Sequence, residues 1–152
     1  TMHVLRAEKG FIIVGQDTDG SMTPDDLNMG WCVGRTKPFS WIGWRGMNRE
    51  DCVREERKQL VGLKPIDPTV WLPEGAQLVF DAKQTIPMKM VGHVTSSYAH
   101  NSLGYSFAMA VVKGGLKRIG ERVFSPQADG SVIEAEIVSS VFFDPKGERQ
   151  NI

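Results

Sequence analysis

Residues 105–111, Tyr-Ser-Phe-Ala-Met-Ala-Val, decide the fold. Tyr105, Phe107, Met109 and Val111 fall on one side of a strand, and Ser106, Ala108 and Ala110 on the other. A strand with one large and one small face suits a tightly curved wall, because the small face can turn inward without crowding. The neighbouring segments share this short, β-type character. Gln59 to Leu63 reads as a strand, and so does Ala76 to Phe80 behind the Pro73-Glu74-Gly75 turn. Met88 to Val94 places Met88, Met90 and Val94 on one face, with Val91 breaking the alternation. Arg122 to Phe124 leads to the Asp129-Gly130 turn, and a last strand sets Ile133, Ala135, Ile137, Val141 and Phe143 against Glu134 and Glu136. Six short strands with turns between them and no long helix imply a small antiparallel β-barrel from about residue 56 to the end.

Upstream of the barrel the character differs. The opening reads as a helix end or short strand closed by Gly10, and Phe11 to Val14 as a buried strand between Gly10 and Gly15. Asp19-Gly20 marks a turn. Thr23-Pro24-Asp25-Asp26 has the cap, first-turn proline and first-turn acids of a short helix that Gly30 closes. Trp31 to Val33 begins a further strand, and Ser40 caps a short helix carrying Trp41, Trp44 and Met47 on one face. Asn48 to Lys58, rich in charge and poor in apolar residues, reads as a connector. Residues 3–31 thus form the floor of a pocket whose other walls come from elsewhere. The chain opens at Thr1 directly on structure-forming sequence, which leads us to expect the tail of a longer polypeptide.

The composition excludes several classes. The 152 residues carry 18 basic and 18 acidic side chains, so net charge gives no sign of nucleic-acid or membrane-surface binding. No apolar run approaches the roughly 18 residues of a membrane span. The two cysteines, Cys32 and Cys52, read as free buried thiols of a reducing, cytoplasmic compartment. Asp17-Thr18-Asp19-Gly20 lacks the alternating acids and the terminal Glu of a calcium loop. Gly115 to Gly120 has the outer spacing of a phosphate loop, but Glu121-Arg122 replace its Lys-Ser/Thr. There is no GxGxxG or GxSxG, and His93 and His100 have no third ligand nearby. Neither a metal site nor a catalytic constellation is legible.

The segments LRAEKGFIIVGQDTD, TPDDLNMGW, FSWIG, RKQLVGL, GHVTSSYAHNSLGYSFAMAVVKGG and VFFDPKGER nevertheless resemble, in order and content, the C-terminal part of the alpha subunits of heterotetrameric sarcosine oxidases. More loosely they are similar to the aminomethyltransferase (T-protein) of glycine cleavage and to the dimethylglycine dehydrogenase group. The resemblance covers essentially the whole chain. It implies a β-rich α+β fold: residues 1–55 as the C-terminal portion of a folate-binding α+β domain, and residues 56–152 as the aminomethyltransferase-type C-terminal barrel. It also implies a function. In such oxidases a tetrahydrofolate-binding module accepts the one-carbon unit from oxidative demethylation of sarcosine, giving glycine and 5,10-methylenetetrahydrofolate.

On this resemblance FAD, NAD and FMN belong to the full complex and not to this chain. The partners would be the rest of the alpha subunit and the beta, gamma and delta subunits. The family's catalytic acid would lie upstream of Thr1, so the chain carries no catalytic residue of its own. Phe11, just after the LRxExG-like segment, and Phe143, near the chain end, correspond to positions close to the folate. Each could equally be a core aromatic. Where the T-protein has a folate-holding arginine four residues before the LRxExG arginine, this chain has Met2. Trp31, Trp41, Trp44 and Phe11 would face missing structure, so the isolated piece is expected to self-associate as a homodimer. The alternatives are a stand-alone barrel used for binding or assembly, and a T-protein-like aminomethyltransferase.

Overall fold

The computed structural model describes residues 1–99 and 102–151. Six strands form one sheet: β1 (Lys58–Pro65), β2 (Gln77–Leu78), β3 (Gly92–Tyr98), β4 (Phe107–Lys113), β5 (Arg122–Pro126) and β6 (Val132–Val138). Their order is β2-β3-β4-β1-β6-β5, and each neighbouring pair is antiparallel. The two outer strands meet through a bridge in which Val79 and Phe124 exchange both backbone hydrogen bonds at 2.9 Å. That bridge brings the sheet close to closure. The result is the small antiparallel barrel the sequence implies.

The alternation along β4 sets the interior. Ala108, Ala110 and Val112 point into the barrel with Val61, Leu63 and Ile137, while Phe107, Met109 and Val111 point outward. Small residues at the centre of a narrow barrel let its far wall approach, as the pattern at 105–111 requires. The outward face is not left to water. It is covered by Ala7, Ile12 and Met22 from the N-terminal segment and by Phe142 from the C-terminal one. The rings of Phe107 and Phe142 lie 4.3 Å apart, centroid to centroid. Two cores therefore share one sheet, one inside the barrel and one between the barrel and a strap wrapped across it.

The strap departs from the sequence expectations. The opening is a helix, α1 (Met2–Glu8), and Phe11 to Val14 is not a strand. Gly10 takes φ 78°; its amide donates to the Ala7 carbonyl at 3.0 Å and that of Phe11 to the Arg6 carbonyl at 2.8 Å. This Schellman closure turns the chain out of α1 and leaves Phe11 63% exposed, with no strand free to pair. Trp31 to Val33 is likewise no strand; Gly30–Cys32 is a single 3-10 turn that buries nothing. Hence Cys32 is exposed and Cys52 half-buried, both free, rather than buried.

Thr23 and Asp26 form a reciprocal cap, but only one turn follows before Asn28 reverses at φ 58°. The helix carrying Trp44 is α2 (Trp44–Met47), entered at Gly43 and not capped by Ser40. A further turn, α3 (Glu50–Val53), lies inside the expected connector. In the barrel, β3 begins at Gly92 rather than Met88, leaving Met90 half exposed. The final strand ends at Val138, so Val141 and Phe143 belong to the segment beyond it.

Gly62 shows how tightly the strap and barrel fit. A Cβ there would lie 2.6 Å from the Phe142 ring and closer still to the Ser139 carbonyl. We expect Gly62→Ala to cost about 2 kcal/mol or more through displacement of Phe142. Urea unfolding read by circular dichroism measures it, and an unchanged midpoint would contradict this packing.

Candidate functional site

The two most distinctive sequence segments meet at one carboxylate. Asp17, in VGQDTDG, has a fully buried side chain that forms an ion pair with Arg6 of α1. One of its oxygens accepts hydrogen bonds from Thr95 Oγ1 at 2.5 Å and Ser96 Oγ at 2.8 Å, and the other from the Ile13 amide at 2.9 Å. Consecutive strand residues normally point to opposite faces. Thr95 and Ser96 reach the same carboxylate because β3 carries a bulge there: Val94 pairs with Ala110 and Ser96 with Met109, leaving Thr95 as the extra residue. Arg6 completes the set by donating to Ser96 Oγ at 2.7 Å, the Tyr98 hydroxyl at 3.1 Å and the Phe11 carbonyl at 3.1 Å. Burial alone would raise the pKa of Asp17, but Thr95, the Ile13 amide, Ser96 and Arg6 outweigh it and hold the carboxyl below its usual range.

A second buried pair joins Arg57 to Asp26, whose carboxylate also accepts from the amide and hydroxyl of Thr23 at 2.8 Å. Hydrogen bonds donated to the Asp26 carboxylate raise the Arg57 pKa despite burial. Nothing in the charged 48–58 segment distinguishes Arg57 from its exposed neighbours, and by composition it reads as part of a connector. Its role becomes visible only once the Thr23–Asp26 cap is placed against it.

Arg6 links this Asp17–Arg6 latch to an apolar groove of about 490 Å³, built from both ends of the chain. Helical spacing sets Met2, Leu5 and Lys9 along one side. Phe11, swung out by the Schellman turn, and Phe143 supply its aromatic surfaces, and Arg149 and Gln150 form the far rim. Backbone pairing fixes the two sides together: the amides of Phe142 and Phe143 both donate to the Glu8 carbonyl, at 2.9 and 2.8 Å. Lys9 pairs with Asp144 at 3.1 Å, and Glu8 accepts from the amide and hydroxyl of Ser102 at 3.1 and 2.7 Å. The guanidinium of Arg149 lies 5.0 Å from the centre of the Phe143 ring. Phe11 and Phe143 thus share one groove. Met2 lines it too and brings no charge.

A second cavity of similar volume opens between strap and barrel, with Asp19, Lys58 and His93 among its walls. Burial, reinforced by Lys58 and opposed by Asp19, lowers the His93 pKa. His100 lies outside the described residues. Among the described residues no three His, Cys, Asp or Glu side chains gather as a metal site. Gly115 opens a 3-10 turn, Gly115–Lys117, rather than a phosphate cradle. No described helix is long and apolar enough to cross a membrane.

A six-stranded antiparallel barrel, braced on its outer face by a buried carboxylate, defines the class of this protein. Residues 58–144 match the family described as the glycine cleavage T-protein C-terminal barrel domain, and the chain belongs to that family. It is 47% identical over 155 residues to sarcosine oxidase subunit alpha of Corynebacterium sp. (strain U-96), covering 99% of this chain and 16% of that one. The corresponding subunit of strain P-1 is 49% identical over the same shares. The chain therefore spans about one sixth of the length of these two relatives. Among solved structures, the aminomethyltransferase T of the Bartonella henselae glycine cleavage system superposes with a TM-score of 0.68 at 24% identity, over 92% of this chain and 37% of that one, which supports the fold.

The latch has a pH signature. A carboxyl whose pKa is lower folded than unfolded stabilises at neutral pH, and that contribution is lost as pH falls below about 4. Asp17→Asn is expected to cost about 3 kcal/mol at pH 7, because Arg6 would be left buried without its counter-charge. The variant is also expected to lose less stability than the parent between pH 7 and pH 3. Urea midpoints at the two pH values test both statements, and parallel losses in the two proteins would refute the assignment.

Proposed function

We propose that this chain is the C-terminal part of a sarcosine-oxidase-type alpha subunit, and that its groove is one wall of a tetrahydrofolate site. The observation carrying this reading is the convergence of Phe11 and Phe143, from opposite ends of the chain, on a single apolar groove. Flat aromatic side chains offer stacking surface to a planar reduced pterin. The groove fits the role of a wall rather than a whole site. Its carboxylates are already occupied, Glu8 by Ser102 and Asp144 by Lys9, which leaves neither poised to move a proton.

In the complete enzyme the chain's part would be to seat tetrahydrofolate while sarcosine is oxidatively demethylated. The one-carbon unit would pass to the folate as 5,10-methylenetetrahydrofolate, and glycine would leave. FAD, NAD and FMN, which supply redox chemistry when bound, would be held by the remainder of the alpha subunit and by the beta, gamma and delta subunits. A cytoplasmic location accords with that assembly. Residues 1–55 would complete a folate-binding domain, and residues 56–152 would be the barrel that braces it. Trp31 is 83% exposed and Ile42 fully so, in a segment that also exposes Phe39 and Trp44. Such a face accords with docking against the rest of that domain. The same reading holds for a T-protein-like aminomethyltransferase, but the sarcosine oxidase subunits share far more identity over this chain.

Titration of the ¹⁵N-labelled chain with tetrahydrofolate tests the proposal. Binding is expected to be weak, with a Kd of about 1 mM. Shifts should concentrate at Phe11, Phe143 and Lys9, and Phe11→Ala should weaken binding roughly fivefold. A micromolar or tighter site would contradict a one-walled groove, and shifts centred on His93 would place the ligand elsewhere. Sedimentation tests the exposed face separately: the chain is expected to self-associate at high concentration, and Trp31→Ser with Ile42→Ser to reduce it.

A further inference from the structure

The charges around the groove are not equivalent. Arg6 is committed to Asp17, Lys9 to Asp144, and Glu8 to Ser102. Arg149 alone among the groove's cationic side chains has no counter-charge among the described residues, and its guanidinium rests over Phe143 at 5.0 Å. We propose that Arg149 is the anion-binding residue of this groove, taking a carboxylate from a planar aromatic ligand seated against Phe11 and Phe143. A guanidinium packed by its face on a ring keeps its edge N–H groups available, and these match a carboxylate two at a time.

The backbone holds the residue in readiness. Asp144 adopts φ 45°, and its carboxylate accepts the amides of Glu148 at 2.9 Å and Arg149 at 3.3 Å. Lys9 anchors the same carboxylate from α1, at 3.1 Å. The short turn Glu148–Gln150 is thereby tied to the groove wall, and Arg149 is presented without a large ordering cost on binding. Arg149 also lies beyond residues 58–144, the part matched to the barrel family.

The proposal rests on the folate reading of the groove and names the residue that would grip the ligand's acidic tail. Two probes separate them: tetrahydrofolate, which carries a glutamate, and tetrahydrobiopterin, a reduced pterin without carboxylates. Each is titrated by NMR into the parent chain, Arg149→Gln and Arg149→Lys, with thermal unfolding as a check on folding. Arg149→Gln is expected to weaken tetrahydrofolate binding about five- to tenfold and leave tetrahydrobiopterin unchanged, with Arg149→Lys between. Equal effects on both probes, or on neither, would overturn the role of Arg149 while leaving the groove a pterin site. Absence of groove shifts with either probe in the parent would overturn the folate reading and this inference together.

Discussion

The Asp17 carboxylate is the constraint on which the rest of this structure depends. It sits in a loop without regular secondary structure, yet its side chain is fully buried. A buried charge persists only if it is paired and its lone pairs are satisfied. Here Arg6 neutralises it, and two hydroxyls and an amide fill its remaining acceptor sites. The partners come from three pieces: α1, the strap loop and the bulged strand β3, which supplies both hydroxyls. Because removal of any one strands the others in an apolar setting, the three pieces are held in a single arrangement.

That arrangement is transmitted to the groove through contacts on backbone groups. Arg6 binds the Phe11 carbonyl, so the latch and the Schellman turn together determine where the Phe11 ring emerges. Two residues further along α1, the Glu8 carbonyl receives both amides of the Phe142–Phe143 step. Phe142 then packs inward on Phe107, which leaves its neighbour Phe143 facing the groove. The outward aromatic of each pair is positioned by an inward contact. Displacing the strap would therefore disturb both aromatic surfaces at once.

The barrel was legible in the sequence because its physics is periodic. Large and small residues alternate at 105–111 and apolar and charged ones at 133–137, and both patterns survive in the two cores. The strap was much less legible. Phe11 to Val14 has a strand's composition, but strand formation needs a free edge, and here the sheet's outer strands are joined to each other. Trp31 to Val33 fails for the same reason. The groove was half legible: Phe11 and Phe143 were named through resemblance, but their meeting depends on chain ends brought together by tertiary contact. Arg149 carries no local signal, since an arginine in a polar terminal segment is ordinarily a solvated one. The bulge at Thr95 is equally silent in sequence, although the hydroxyl-rich Thr95-Ser96 pair is what makes it useful.

The packing of the barrel also decides where function can reside. Its interior is filled by Val61, Leu63, Ala108, Ala110, Ala135 and Ile137, all buried and apolar. A lumen packed in this way leaves little volume to admit a ligand. Recognition must then occur outside the barrel, on surfaces the barrel supports. The outer face of β4 is itself consumed by the strap, through Phe107, Met109 and Val111. One such surface is the seam where α1 and the C-terminal segment run over that covered face. The apolar groove lies on this seam, where rigid sheet, helix and a carboxylate-anchored turn each contribute one side. A rigid barrel with a groove at its edge is suited to fixing one wall of a site whose remaining walls and reacting groups are brought by neighbouring structure.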